Sequence, residues 1–492
     1  VRKLTTAMPS SFPSLLGDLS RVAPDHVRDV AETKRVLERW MVDPGFRRAF
    51  FQDPATAVAG LGVSLTAEQV LPFLGEDSVA EDRRPAAGAR PPRSVLRYQA
   101  FMQEKIGHRE RVRAAGEAAD PRMAAWRRRQ LNRCTSELGL ARATAIVHAP
   151  AAFELSKGCT VGCWFCGVAA PRFDHTWAHT AEHAALFRQV LTTMYELLGP
   201  CLRQGFLYWA TDPLDNPDYE DFLRDFHDVV GRCPQTTTAL AHKDVDRTRG
   251  LLELTRSLGS EVDRFSIIAT GQLDVLHEAL TAEEMLRVEC IPQNKGAAAV
   301  GRKSNAGRAR RFAAKRAEEL TSDDLSSTIA CVSGFLFNMV DRSVQLITPC
   351  NASDDWPLGY WVLDSGTFDT AADLRELTET MISRHMRSAL RAADVVRARR
   401  DLTLSVEDGF LRARSREQVV RIGDLPDPET VADLLTRGDH TAEDFAAARA
   451  RTGVPFLTTM AMLDGLFTRG LLDEEPPPAS RAVPVTIEGA AR

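Results

Sequence analysis

Apolar residues recur at helical spacing across 32–75, where Val36, Leu37, Trp40, Phe46, Phe50, Phe51, Val58 and Leu61 are set between turn signals at Asp43-Pro44 and Leu61-Gly62. This pattern predicts a small unit of short amphipathic helices. Residues 76–95 are rich in Pro, Gly and charge and bury too little apolar surface to offset chain ordering, which predicts a linker. From 96 to 145 the pattern is helical and Arg-rich. Strands and helices then alternate, with strands expected at 151–155, 205–209, 236–240, 264–268 and 286–291 and helices at 179–198, 218–230, 244–258 and 270–285. Such alternation predicts a parallel α/β barrel or open sheet. Two further strands, 329–339 and 343–348, are split at Asp341-Arg342 and predict a hairpin or bulged sheet end, before helices return at 370–399.

The last hundred residues change character, with short strands expected at 402–406, 410–413 and 419–422 and helices at 428–437, 441–451 and 456–469. This order resembles a winged helix. At 492 residues, with 44% hydrophobic and 26% charged, the chain is long enough for two or three domains. A net charge of -5 supplies no general cationic field, although arginines cluster in 108–133 and 301–316, so nucleic acid is not expected as the main partner. Apolar runs such as 334–340 fall short of the roughly 20 residues that span a bilayer, and no export signal opens the sequence. A cytoplasmic protein without a membrane partner is expected. Nine cysteines, scattered except for one tight trio, argue against a disulfide framework and for metal or thiol chemistry.

The trio lies in Ser156-Lys157-Gly158-Cys159-Thr160-Val161-Gly162-Cys163-Trp164-Phe165-Cys166-Gly167, directly after the first expected barrel strand. Three thiolates in CxxxCxxC spacing can each ligate one iron of a [4Fe-4S] cluster and leave the fourth iron free for a small molecule. Glycines 158, 162 and 167 let the loop curl. A zinc loop is the competing reading, but structural zinc usually takes four ligands and no fourth Cys or His follows at finger spacing; His175 and His179 fit no such pattern.

This trio, with an aromatic before the third Cys, resembles the signature of the radical S-adenosyl-L-methionine (SAM) superfamily. The resemblance implies a partial (β/α)6 barrel and a [4Fe-4S] cluster on Cys159, Cys163 and Cys166. It also implies a cluster-chelated SAM that one-electron reduction cleaves to methionine and a 5'-deoxyadenosyl radical. It further implies Phe165, Thr211, Asp212 and Ser266 as SAM contacts. Tyr208-Trp209-Ala210-Thr211-Asp212-Pro213 departs from the family's commoner Gly-Gly-Glu form, and a turn opening the next helix is the alternative there. For Ser266 the alternative is a satisfied strand serine.

Over most of 150–385 the chain resembles a narrower group, the radical SAM epimerases that mature ribosomally made peptides of the proteusin type. The strings that carry it are 210–219, Pro292-Gln293-Asn294-Lys295-Gly296, Ala306-Gly307-Arg308, Ser333-Gly334-Phe335 and 346–360, with Thr348-Pro349-Cys350 at its centre. The implied reaction converts L- to D-residues: the radical removes a Cα hydrogen, and a thiol returns one to the opposite face. Cys350 is the chosen donor, with Cys331 and Cys290 as rivals and an ordinary buried thiol as the alternative. Implied partners are a precursor peptide with its leader and an electron donor of flavodoxin or ferredoxin type. The expected domains are a leader-peptide-like helical region over 1–75, the 76–95 linker, the barrel with preceding helices over 96–385, a small α+β module over 386–475 that can recognise peptide, and a tail over 476–492. Peptide crosslinking or methylation by the same cluster is the second enzyme reading, and a leader-binding scaffold is the reading of another class. The absence of any cysteine after Cys350 favours a single cluster and redox-neutral chemistry.

Overall fold

The computed structural model describes residues 12–74, 91–114, 116–260, 262–298, 304–316, 328–423 and 425–476. Contacts divide the chain into two compact units, one made of Val1–Ala115 with Asp212–Arg302 and the other of Gly116–Thr211 with Lys303–Arg492. The described strands are β1 (Ala149–Glu154), β2 (Ser156–Lys157), β3 (His175–Thr176), β4 (Thr237–Thr238), β5 (Asp263–Ile267), β6 (Val288–Pro292), β7 (Val332–Asn338), β8 (Ser343–Pro349), β9 (Tyr360–Thr367), β10 (Val395–Val396), β11 (Thr403–Glu407), β12 (Phe410–Arg414), β13 (Val419–Ile422) and β14 (His440–Thr441). The fold is mixed α/β. Among the described residues the sheets run β1-β7-β8-β9, β4-β5-β6, β11-β12-β13, β2-β3 and β10-β14, and no closed barrel is formed. The expected strand at 205–209 contributes only a parallel bridge from Phe206 to Ala152, and 236–240 shrinks to the two residues of β4. The 3-10 turns Gly199–Gln204 and Pro213–Asp215 close in on the first of these and leave it little extended chain.

In the first unit, helices Pro24–Val42, Pro44–Gln52 and Pro54–Ala59 follow one another with one residue between them. Each proline cannot continue the preceding helix but suits the first turn of its own. Asp43 and Asp53 cap the second and third by accepting from Gly45 N (2.7 Å) and Thr56 N (3.2 Å). Val36, Leu37, Trp40, Phe46, Phe50 and Val58 form the buried stripe, whereas Phe51 is 52% exposed because it follows Phe50 by one helical step and so faces away. β4, β5 and β6 are parallel, with Phe265 opposite Cys290 and Ser266 opposite Ile291. Helix Pro24–Val42 packs on β6 and on helix Thr270–Ala279, so the N-terminal helices and 212–302 share one core. Helix Arg93–Ala114 begins inside the expected linker, while 75–90 lies outside the described residues.

In the second unit β1 and β7 are parallel, from Ala149 opposite Val332 to Glu154 opposite Asn338, and β7, β8 and β9 follow as an antiparallel meander. β9 was not expected from the sequence, since its residues lack a regular alternation. Phe153 stacks on Phe337 at 4.7 Å between ring centroids. The expected 370–399 helix stops at His385, because the carbonyls of Ala392 and Asp394 are taken by the amides of Glu443 (2.9 Å) and Ala442 (2.8 Å) at the start of a later helix. The C-terminal module packs β11-β12-β13 with helices Pro428–Arg437, Ala442–Ala450 and Phe456–Thr468 around Leu411, Ala413, Leu434, Phe445 and Leu463. It is fastened to helix Pro121–Leu138: Arg399 donates to Ser136 Oγ (3.1 Å), and the Arg129 guanidinium lies 3.9 Å over Phe467 while pairing with Glu474 (3.1 Å).

Candidate functional site

The cysteine bend begins where β1 ends. β2 pairs antiparallel with β3, and Cys159 N donates to the Pro171 carbonyl (3.0 Å), so the neck of the loop is closed by backbone. Gly158 is required here: its φ is +80°, and a Cβ would lie 2.1 Å from the Arg172 carbonyl oxygen. Within the bend Cys166 N donates to Cys163 O (3.2 Å), Ala169 N to Cys166 O (3.2 Å), and Ala170 N to Cys166 Sγ (3.4 Å). Trp164 is 48% exposed and packs against Phe165 and Phe312, at centroid separations of 5.5 and 4.7 Å.

Among the described residues no three His, Cys, Asp or Glu side chains are drawn closely enough together to hold one metal ion. The donor set nevertheless fits an iron–sulfur cluster. All three cysteines are partly exposed, they share one bend locked at its neck, and soft thiolate donors favour such clusters. His175 is engaged with Asp174 (3.2 Å) on β3.

Glu154, the last residue of β1, escaped the sequence analysis. It is 9% exposed, accepts from Ala210 N (2.7 Å) and Asn338 Nδ2 (3.0 Å), and so ties β1 to the 208–211 segment and to the end of β7. Burial pushes its carboxyl up, against those two hydrogen bonds and with help from the Asp341 charge, to about 7. The one available clue was a carboxylate closing the apolar run Ala149-Pro150-Ala151-Ala152-Phe153. Because the folded-state value lies above the ordinary 4.5, the folded protein binds this proton more tightly than the unfolded chain. Stability from Glu154 is therefore full below pH 4.5 and falls as pH rises to about 7, by about 3 kcal/mol. Glu154→Gln is expected to flatten this limb, measured as urea midpoints between pH 5 and about 8.

Of the expected SAM contacts, Phe165 and Thr211 lie in the second unit and Asp212 and Ser266 in the first. Asp212 is buried and accepts from Thr238 Oγ1 (2.6 Å), Ala239 N (2.7 Å) and Leu214 N (3.1 Å), capping the Pro213–Asp215 turn. Burial outweighs these bonds and raises its carboxyl to about 6. Ser266 is half-buried in the middle of β5.

Cys350 follows β8 and is 1% exposed, packed with Trp356 and Trp361. Helix Pro121–Leu138 grips the same string. Arg133 donates to Pro349 O (2.5 Å) and Thr348 Oγ1 (3.2 Å), and Glu137 accepts from Asn351 N (2.6 Å). Burial and the Glu137 charge push the Cys350 thiol up, against Arg133. A chain of backbone bonds leads from here to the bend: Cys350 N to Gly359 O (2.9 Å), Gly359 N to Trp356 O (2.9 Å), Gly307 N to Pro357 O (2.7 Å) and Arg308 N to Cys166 O (2.9 Å). Cys331 lies just before β7, where its carbonyl accepts from Ala149 N (2.8 Å), while Cys290 sits in β6 of the other unit.

The model of the "Protein y4wI C-terminal domain" family matches residues 396–470, the strand-helix module. Uncharacterized protein y4wI of Sinorhizobium fredii (strain NBRC 101917 / NGR234) is 37% identical over 469 residues, covering 93% of this chain and 90% of that protein. The chain belongs to the y4wI family. Among solved structures, the crystal structure of BtrN in complex with AdoMet and 2-DOIA aligns with 40% of this chain and 71% of its own, at 13% identity and a TM-score of 0.27, which is too low to bear on fold or activity. No described helix is long and apolar enough to cross a membrane.

Proposed function

We propose that the chain is a radical SAM peptide epimerase, converting L- to D-residues in a ribosomally made precursor peptide. The observation that carries this is the CxxxCxxC bend, three partly exposed cysteines on a backbone-locked loop at the end of a buried parallel strand. Cys159, Cys163 and Cys166 would hold a [4Fe-4S] cluster, with Phe165, Thr211, Asp212 and Ser266 toward SAM. Once loaded, cluster and SAM together supply a hydrogen-abstracting carbon radical, and the protein orients the peptide and excludes quenchers. An electron donor of flavodoxin or ferredoxin type would supply the electrons.

The protein's own part is the return of hydrogen. Cys350 would serve as donor, and its raised pKa keeps the sulfur as S–H, the form that can give up a hydrogen atom. Its burial means that the peptide would reach it only once the residues packed over it, Trp356 and Trp361 among them, give way. The peptide leader would add as a strand to an edge of β11-β12-β13, most simply along β13, where Val419 is exposed.

Anaerobic incubation of the iron-reconstituted protein with SAM, reductant and the precursor peptide in deuterated water tests this. One deuteron gained per modified residue with no other mass change is the expected result. A loss of two mass units would mean a crosslink and a gain of a methyl group would mean methylation. Peptide binding with neither cluster nor deoxyadenosine release would mean a scaffold. Cys350→Ala is expected to cleave SAM but to return no solvent deuterium; unchanged deuterium uptake would transfer the donor role to Cys331 or Cys290.

A further inference from the structure

We propose that Arg308 is the positioning residue of the cysteine bend, gripping it by three carbonyls and presenting a fixed positive charge to it. Arg308 Nε donates to Cys163 O (2.9 Å), Nη1 to Ala170 O (2.7 Å), and its backbone amide to Cys166 O (2.9 Å). These acceptors bracket the third cysteine on both sides. The guanidinium is planar and rigid, so one side chain spans two carbonyls that a lysine ammonium, a single point donor, cannot hold together.

The residue before it makes this approach feasible. Gly307 has φ +57°, and a Cβ there would lie 2.4 Å from Gly167 O and 2.5 Å from Cys166 O. On the bend itself Gly167 is equally tight, since its Cβ would lie 2.5 Å from Ser304 Oγ and 2.7 Å from Ile329 Cγ1. Ala306-Gly307-Arg308 thus forms a dock for residues 163–170, although it lies 145 positions from Cys163 in sequence. With the bend's carbonyls facing Arg308, its positive charge stabilises whatever negative charge the three sulfurs carry.

The positioning role stands on the loop geometry, and the role of the charge rests on the cluster assignment above, so the two are measured separately. In the full chain purified without iron, Arg308→Gln is expected to raise hydrogen exchange at the Cys166, Ala169 and Ala170 amides about tenfold or more, with Arg308→Lys intermediate. Unchanged exchange in Arg308→Gln would overturn the positioning role. After reconstitution, Arg308→Gln is expected to shift the cluster midpoint potential negative by about 59 mV, a tenfold change in the reduction equilibrium, while Arg308→Lys stays near the unsubstituted protein. A purely structural brace would leave the potential unmoved or leave Lys unable to rescue it, and either result overturns the role of the charge. If the unsubstituted protein takes up no iron, the cluster assignment fails while the exchange result still decides the grip. Should Arg308→Gln not fold, Gly307→Ala, which displaces the same amide and keeps the charge, must raise exchange at the same three positions.

Discussion

Cys163→Ser, reconstituted anaerobically with iron and sulfide, is expected to lose bound iron and all SAM cleavage, and Cys159→Ser and Cys166→Ser are expected to do the same. Each thiolate would bind a different iron, so removing one leaves that iron without a protein ligand, and a serine hydroxyl is too hard a donor to replace it. The loss should exceed the roughly 10–100-fold that removing an outer hydrogen-bond partner costs a metal site. Iron and sulfide analysis, with electron paramagnetic resonance of the reduced sample, reads the result. Cys350→Ala is the matched control and should keep full iron content, because that thiol is buried with Trp356 and Trp361 outside the bend. Zinc in place of iron, or three serine variants with unaltered iron, would remove the cluster and with it the proposed chemistry.

Glu38→Ala is expected to destabilise the protein by about 3–5 kcal/mol, a large share of the roughly 5–15 kcal/mol that ordinarily separates folded from unfolded chain. Glu38, on helix Pro24–Val42, is buried beside the equally buried Lys34, one turn earlier, and accepts from His277 Nε2 (3.3 Å) on helix Thr270–Ala279. Burial alone would raise the Glu38 carboxyl, but the Lys34 ammonium and the His277 hydrogen bond outweigh it and bring the value down to about 2. Burial lowers the His277 imidazole, against the Glu38 charge, and the Lys34 charge is the largest influence holding the Glu38 carboxyl down. Removing the carboxylate strands that ammonium in the core, and this loss rather than the strength of the pair sets the cost.

The sign of the pH dependence follows from the lowered value. Glu38 contributes its full stability above the ordinary 4.5 and loses it as pH falls toward about 2, on the order of 3 kcal/mol in all. Denaturant midpoints measured from pH 6 down to about 2 should therefore fall steeply in the unsubstituted protein. A Lys34→Met, Glu38→Met double substitution should remove that acid limb and recover most of the stability lost in Glu38→Ala, since an apolar pair strands no charge. Glu154 has the opposite sign and acts above pH 4.5, so the two carboxyls bracket a maximum near that value.

Short-range chemistry was legible in the sequence. The CxxxCxxC spacing, the Asp-Pro joints of the N-terminal helices and the strands at 264–268, 343–348, 410–413 and 419–422 each depend on residues within a few positions of one another. Periodicity therefore found β5, β8, β12 and β13 within a residue or two. It failed for 205–209, which has almost no ladder, and for β9, whose pairing with β8 comes from another part of the chain.

Everything that depends on what surrounds a side chain had to wait for the tertiary structure. Cys350 stands out in Thr-Pro-Cys, but its raised pKa comes first from burial, beside two tryptophans, and then from the Glu137 charge. Glu154 is an unremarked strand end until Ala210 and Asn338 close over it, and Arg308 reads as one arginine in a basic helix until its fork reaches Cys163 and Ala170. Likewise, the sequence marked the N-terminal helices as a separate region, whereas their packing on β6 joins them to 212–302. The sequence by itself determined the reactive groups, because donor type and spacing are local properties. The tertiary structure alone decided their proton affinities, hydrogen-bond partners and access, because desolvation and hydrogen bonding are set by segments remote in sequence.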